Sequence, residues 1–116
     1  LGNELADLEK TCDYIIVLSQ MGIDGDKKCA EKWQSIDLII GGHSQTLLEE
    51  AVIVGNTRIV QAGKNAGRIG EIALIFDGNN ILDKFSYRLI ELTKEFTIEP
   101  DIRQLVKDAV PVGSAD

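Results

Sequence analysis

Residues 13–42, DYIIVLSQMGIDGDKKCAEKWQSIDLIIGG, hold two apolar runs separated by a short charged stretch, and their spacing decides the fold. DYIIVLS (13–19) is continuous and rich in β-branched residues, the pattern of a strand covered on both faces. MGIDGD (21–26) breaks that run with two glycines. Asp24 or Asp26 then caps a helix over 26–34, DKKCAEKWQ, with Cys29, Ala30 and Trp33 turned inward. IDLIIGG (36–42) is a second buried strand, closed by paired glycines. Strand, helix and strand within about 30 residues make a βαβ unit, whose two strands run parallel as neighbours. Ligands of such sheets gather outside the carboxyl ends of the strands. Gln20 follows the first strand, and His43 and Gln45 follow the second, so two turns bring polar groups to one edge.

Working outward, ELADLEKT (4–11) sets Leu5 and Leu8 on one face of a short helix. Downstream the pattern changes. AVIV (51–54), Gly55-Asn56 and TRIVQAG (57–63) predict a hairpin. GRIGEIALIFDG (67–78) places Ile69, Glu71, Ala73 and Ile75 on one face, and Ile72, Leu74 and Phe76 on the other. The turn DGNN (77–80) returns the chain as ILDKFSYRLIEL (81–92). Pro100 and Asp101 open a last helix with Ile102, Leu105, Val106 and Ala109 inward. The tail PVGSAD is polar, a frayed end or the beginning of a linker. The fold class is therefore α/β, a βαβ unit followed by antiparallel strands and a helix.

Composition narrows the function. With 116 residues there is one domain or part of a larger one. The net charge of −7, without a Lys/Arg cluster, excludes a nucleic-acid partner. No run approaches the roughly 20 apolar residues of a membrane span. The opening LGNELADLEK is polar, shows no signal peptide and lacks an initiator Met, so a start upstream of Leu1 is expected. Cys12 and Cys29 form no CxxC pair and are expected as buried small apolar residues, a disulfide being open only in an oxidising compartment.

Several motifs admit plain structural roles. His43 in Gly-Gly-His-Ser suits a turn as well as a ligand site. Ser44 has no second histidine to serve as its base. GKNAGRIG (63–70) lacks the GxxxxGK[ST] spacing and joins two strands, so it is a glycine-rich connection, with Lys64 and Arg68 as solvated charges or lateral support for an anion. Trp33 and Tyr87 are packing aromatics.

Taken together, DYIIVLSQMGIDGDKKCAEKWQSIDLIIGGHSQTLLEE, RIVQAGKNAGRIGEIALIFD and YRLIELT resemble the C-terminal half of the calcineurin-like metallophosphatase domain in the 5′-nucleotidase / UDP-sugar hydrolase family. The resemblance runs over roughly residues 5–110 and joins several motifs in order. It implies half of an αββα sandwich over 1–110, with 111–116 a tail or linker start. It further implies a pair of divalent metal ions, Zn, Mn or similar, that polarise a phosphoryl group and activate water. Family stretches of the form LSHxG and GGHSHT supply three histidine ligands. Those positions fall here on Gln20, His43 and Gln45, so one imidazole of three is retained and two are replaced by weaker amide ligands. The DxH, GDxxD and GNHE motifs of the family do not occur in the 116 residues.

The expected parent activity is hydrolysis of a nucleotide or other phosphate ester, with this chain inactive alone and no catalytic residue of its own. The alternative is a non-catalytic, pseudoenzyme-type module that binds a nucleotide or a partner. By family analogy the location is periplasmic, secreted or cell-surface. Half a sandwich would leave an Ile- and Val-rich sheet face bare, so self-association or an N-terminal half-domain partner is expected.

Overall fold

The computed structural model describes residues 1–110, and the polar tail discussed above lies outside the described residues. Helix α1 (Gly2–Thr11) leads into β1 (Ile16–Leu18), α2 (Gly22–Lys32) and β2 (Leu38–Ile40). The chain continues through β3 (Val52–Val54), β4 (Thr57–Val60), β5 (Arg68–Phe76), β6 (Leu82–Glu91) and α3 (Pro100–Ala109). β1 and β2 pair in parallel, as the βαβ spacing requires. β4 then adds to the other side of β2, also parallel, and β3 closes that edge antiparallel, giving the order β1-β2-β4-β3. Gly55 at φ 58° supplies the left-handed first position that a two-residue β3–β4 turn needs. β5 and β6 form a separate antiparallel pair. The fold is thus mixed α/β, as expected.

Lateral pairing assigns the two faces of the four-stranded sheet. Val17, Ile39 and Ile59 lie abreast on one side and join Leu5, Ile15, Cys29, Ala30 and Ile36 in the core beneath α1 and α2. Thr57 Oγ1 donates to Ile36 O at 2.6 Å, and Ile15 N donates to Asp37 Oδ2 at 2.7 Å, which locks the lower ends of the strands. On the other side Leu38 and Val60 are also buried, at 1% and 2% exposure. Their cover is the β5–β6 pair. Phe85 lies under the Arg58 guanidinium, 4.7 Å from ring centroid to Cζ. The Tyr87 hydroxyl donates toward Leu48 O (3.0 Å) and Gln61 O (3.3 Å). Ile72 and Leu74 share that half-buried face, while the face with Glu71 carries its ion pair to Arg88 in solvent.

Four expectations are corrected. β1 is not covered on both faces: the β5–β6 pair meets this edge at its start, where Phe76 packs edge-on against Tyr14 with ring centroids 5.5 Å apart, and beyond it Ile16 is 47% and Leu18 79% exposed. Helix α2 starts four residues before Asp26, with Met21 at its N-cap and no side-chain cap, so neither Asp24 nor Asp26 caps it. Helix α3 forms with Pro100 in its first turn, yet Ile102, Leu105, Val106 and Ala109 are exposed, with no layer of the described residues burying that face. Of the two cysteines only Cys29 is buried; Cys12 is exposed, and both are free thiols. Burial, with the Asp26 charge adding to it, pushes the Cys29 thiol above its usual range, which keeps it inert.

The contrast between core and bare edge is measurable. Ile59→Ala should cost about 2–5 kcal/mol in denaturant unfolding, because a fully buried side chain leaves a cavity. Leu18→Ala should stay within about 0.5 kcal/mol, as expected for a surface position.

Candidate functional site

Both parallel strands end on the same side, and the loops leaving them interlock. Ser19 N donates to Ile40 O at 2.9 Å, so β1 and β2 stay paired to the last residue before the turns. Gly41 N donates to Val60 O (2.8 Å), carrying the pairing on to β4. Beyond Gly42 the chain turns sharply, with Ser44 N donating back to Gly42 O at 2.8 Å. His43 and Gln45 adopt φ of 68° and 56°, left-handed values that non-glycine residues hold only when their surroundings fix them.

Ser44 and Gln61 supply that fixing. Ser44 Oγ accepts from Ile23 N, in the first turn of α2, at 3.1 Å. It also lies 2.9 Å from Thr46 Oγ1. Gln61, at the end of β4, is buried. With its amide turned so that Oε1 accepts from Gln45 N (3.0 Å) and Thr46 N (2.9 Å), its Nε2 donates to Ser44 Oγ (3.2 Å). A hydroxyl has one donor and two acceptor sites, so Ser44 is then satisfied: it accepts from Ile23 N and Gln61 Nε2 and donates to Thr46. The loop is completed by Gly63 N donating to Thr46 O and Leu48 N to Gln61 O.

This frame decides where the three sequence-derived residues sit. The turn bearing Gln20 and the loop bearing His43 lie against each other. The Gln20 amide packs on Gly42, where an added Cβ would lie 2.9 Å from Gln20 Oε1. The His43 ring leans toward Gly22, its Cδ2 3.9 Å from where a Cβ would stand. Gln45 follows one residue beyond Ser44, and its backbone is pinned by Gln61. All three side chains are exposed.

Sequence reasoning missed Gln61 and the structural role of Ser44. The only signal for Gln61 was a polar residue ending an otherwise apolar strand, in the stretch RIVQAG. Lys64 and Arg68 stand in or beside the connection between the two sheets; Lys64 is exposed and Arg68 pairs with Glu91 at 3.7 Å. Asn65 and Ala66 take left-handed φ there, so the segment is a tight connection and not a phosphate loop opening a helix.

A divalent metal finds an incomplete donor set. Among the described residues, no three His, Cys, Asp or Glu groups converge to hold an ion. The edge offers one imidazole and two neutral amides, and zinc- or manganese-type ions favour imidazole and carboxylate over amide. These residues do not make a metal centre on their own.

With that geometry in place, likeness to known proteins is informative. The chain is 30% identical over 101 residues to the trifunctional nucleotide phosphoesterase protein YfkN of Bacillus subtilis, covering 83% of this chain and 7% of that one. It is 32% identical over 120 residues to an apyrase of Tabanus yao, covering 86% of this chain and 21% of the relative. Among solved structures, the sulfate thiohydrolase SoxB of Thermus thermophilus superposes with a TM-score of 0.81 at 21% identity, over 91% of this chain and 20% of that one. A 5′-nucleotidase precursor from Thermus thermophilus gives a TM-score of 0.74 at 24% identity, over 92% of this chain and 25% of the other. No family model matches the sequence. The chain is a relative of the 5′-nucleotidase-type metallophosphoesterases, and it corresponds to a minor part of their length.

The glycine contacts give a direct check on the interlocked turns. A Cβ at Gly41 would collide with Asp26 Oδ2, whereas one at Gly78 meets nothing within 4 Å. Gly41→Ala should lower unfolding stability by about 1–3 kcal/mol through overpacking. Gly78→Ala should be near neutral in the same denaturant titration.

Proposed function

We propose that residues 1–110 form one half of a 5′-nucleotidase-like phosphoesterase domain, with 111–116 as a tail or linker start. The edge that carries Gln20, His43 and Gln45 is then one wall of a cleft for a nucleotide or other phosphate ester. The observation that carries this reading is the locked convergence of the Gln20 turn and the His43 loop at the carboxyl edge of parallel strands. His43 is the retained metal-ligand position in this reading, and Gln20 and Gln45 are replaced ones. The relatives' names, nucleotide phosphoesterase and apyrase, support the substrate class. With one imidazole of three and no carboxylate cluster among the described residues, the chain as it stands does not hydrolyse its ester. The paired glutamines also favour a second reading, a pseudoenzyme-type module that keeps nucleotide or partner binding without turnover.

The chain's surface supports a companion. The bare residues include Ile16 and Leu18 on the edge strand β1, and Ile53 on the opposite edge strand. An N-terminal half-domain, or a second copy, would cover them. A location outside the cytoplasm follows from analogy alone; among the described residues no helix is long and apolar enough to cross a membrane.

Incubation with p-nitrophenyl phosphate or AMP and millimolar Mn²⁺ or Zn²⁺ should release no phosphate from the unaltered chain. The double variant Gln20→His/Gln45→His should gain Mn²⁺-dependent stabilisation, about 2.7 kcal/mol when the ion stands at 100 times its Kd. Phosphate release by the unaltered chain would overturn the inactivity. A double variant indifferent to Mn²⁺ and Zn²⁺ would remove the metal-wall reading and leave the binding module. Separately, light scattering at rising concentration should show association of the chain alone, and a persistent monomer would count against an uncovered face.

A further inference from the structure

Asp26 is fully buried and unused by the site described so far. It lies in the second turn of α2, and its Oδ1 accepts from Ser19 Oγ. Ser19 Oγ in turn accepts from Met21 N at 3.1 Å, which closes the turn bearing Gln20. The other carboxylate oxygen, Oδ2, has no hydrogen-bond partner among the described residues. It is packed on Gly41, at the root of the loop bearing His43, so closely that no Cβ fits between them. Across the same side of Gly41 stands the Gln61 amide, 3.3 Å from that missing Cβ, and Gln61 holds Ser44, Gln45 and Thr46. One carboxylate therefore touches both turns from beneath, through a hydrogen bond on one side and through van der Waals contact on the other.

We propose that Asp26 is a positioning residue that sets the spacing of Gln20 and His43 across the edge. The proposal rests on the reading of that edge as a ligand wall. A buried carboxylate whose second oxygen finds no donor among the described residues is costly, and a purely packing role would be served better by an apolar side chain. Its geometry adds a link between two loops that strand pairing, Ser44 and the packing of Gln20 on Gly42 also join.

The test is heteronuclear NMR of the full chain, following the Gln20 side-chain amide, the His43 imidazole and, as an internal control, the Trp33 indole at the far end of α2. Asp26→Ala should move the Gln20 and His43 signals by several linewidths and leave Trp33 in place. Asp26→Asn keeps an oxygen for Ser19 Oγ and should restore both signals close to their original positions. Ser19→Ala cuts the same link from the other side and should move Gln20 more than His43, which keeps the proposal testable if Asp26→Ala fails to fold. Unmoved Gln20 and His43 signals in Asp26→Ala and in Ser19→Ala would overturn it, as would equal movement of all three probes. Neither outcome depends on Mn²⁺ binding or on phosphate release, so failure of the wall reading shows up in those assays and leaves this result intact.

Discussion

The first turns of α2 hold the carboxyl edge of the sheet together. Ile23 N, one of the helix's unpaired N-terminal donors, reaches Ser44 Oγ, and one turn later Asp26 takes Ser19 Oγ. Two loops separated by the whole helix are thereby tied to one rigid element. That tie works together with the Ser44 N–Gly42 O hydrogen bond and with Gln61, which accepts from Gln45 N, to hold His43 and Gln45 in left-handed backbone. Helix α2 in turn owes its place to the core formed by Cys29 and Ala30 against Ile39 and Ile59. Edge chemistry and hydrophobic packing are therefore coupled through a single eleven-residue helix.

The wall reading and the bare sheet face are two aspects of one arrangement. In the proposed reading a site at the carboxyl edge of parallel strands takes groups from both sides of a cleft, and the described residues are one of those sides. The exposed Ile16 and Leu18 of the β1 edge point to apolar area that would be lost on docking. α3, amphipathic but with no buried residue, adds to it. The relatives are long proteins of which this chain matches a minor part. Their solved counterparts share the fold at identities that carry nothing beyond fold.

In the proposed reading, glutamine at the two positions where the resemblance implies histidine alters the chemistry of the wall and leaves its architecture intact. Gln20 still packs against Gly42, and Gln45 still offers its backbone N–H to Gln61. What changes is the donor: a neutral amide oxygen in place of a basic nitrogen. The loop geometry depends on Ser44, Thr46, Gln61 and backbone atoms, none of which the exchange touches. A wall can thus lose ligand strength while keeping its shape, which is the physical basis for both the weakened-hydrolase and the binding-module readings.

The sequence by itself determined the order of elements, because apolar period and glycine breaks are local signals. The parallel pair β1–β2, the β3–β4 and β5–β6 hairpins and the proline-led α3 were all legible there. Only the tertiary structure decided which faces are covered. DYIIVLS looks two-sided, yet Leu18 is bare, because cover depends on how far a distant hairpin reaches. The start of α2 was equally hidden. Gly22 at φ 78° and the Ser44 hydroxyl, 21 residues from Ile23, begin the helix, and Asp26, which has the composition of a cap, is drawn into the interior. Gln61 acts on residues 15 to 17 positions away, a separation that no periodicity can register.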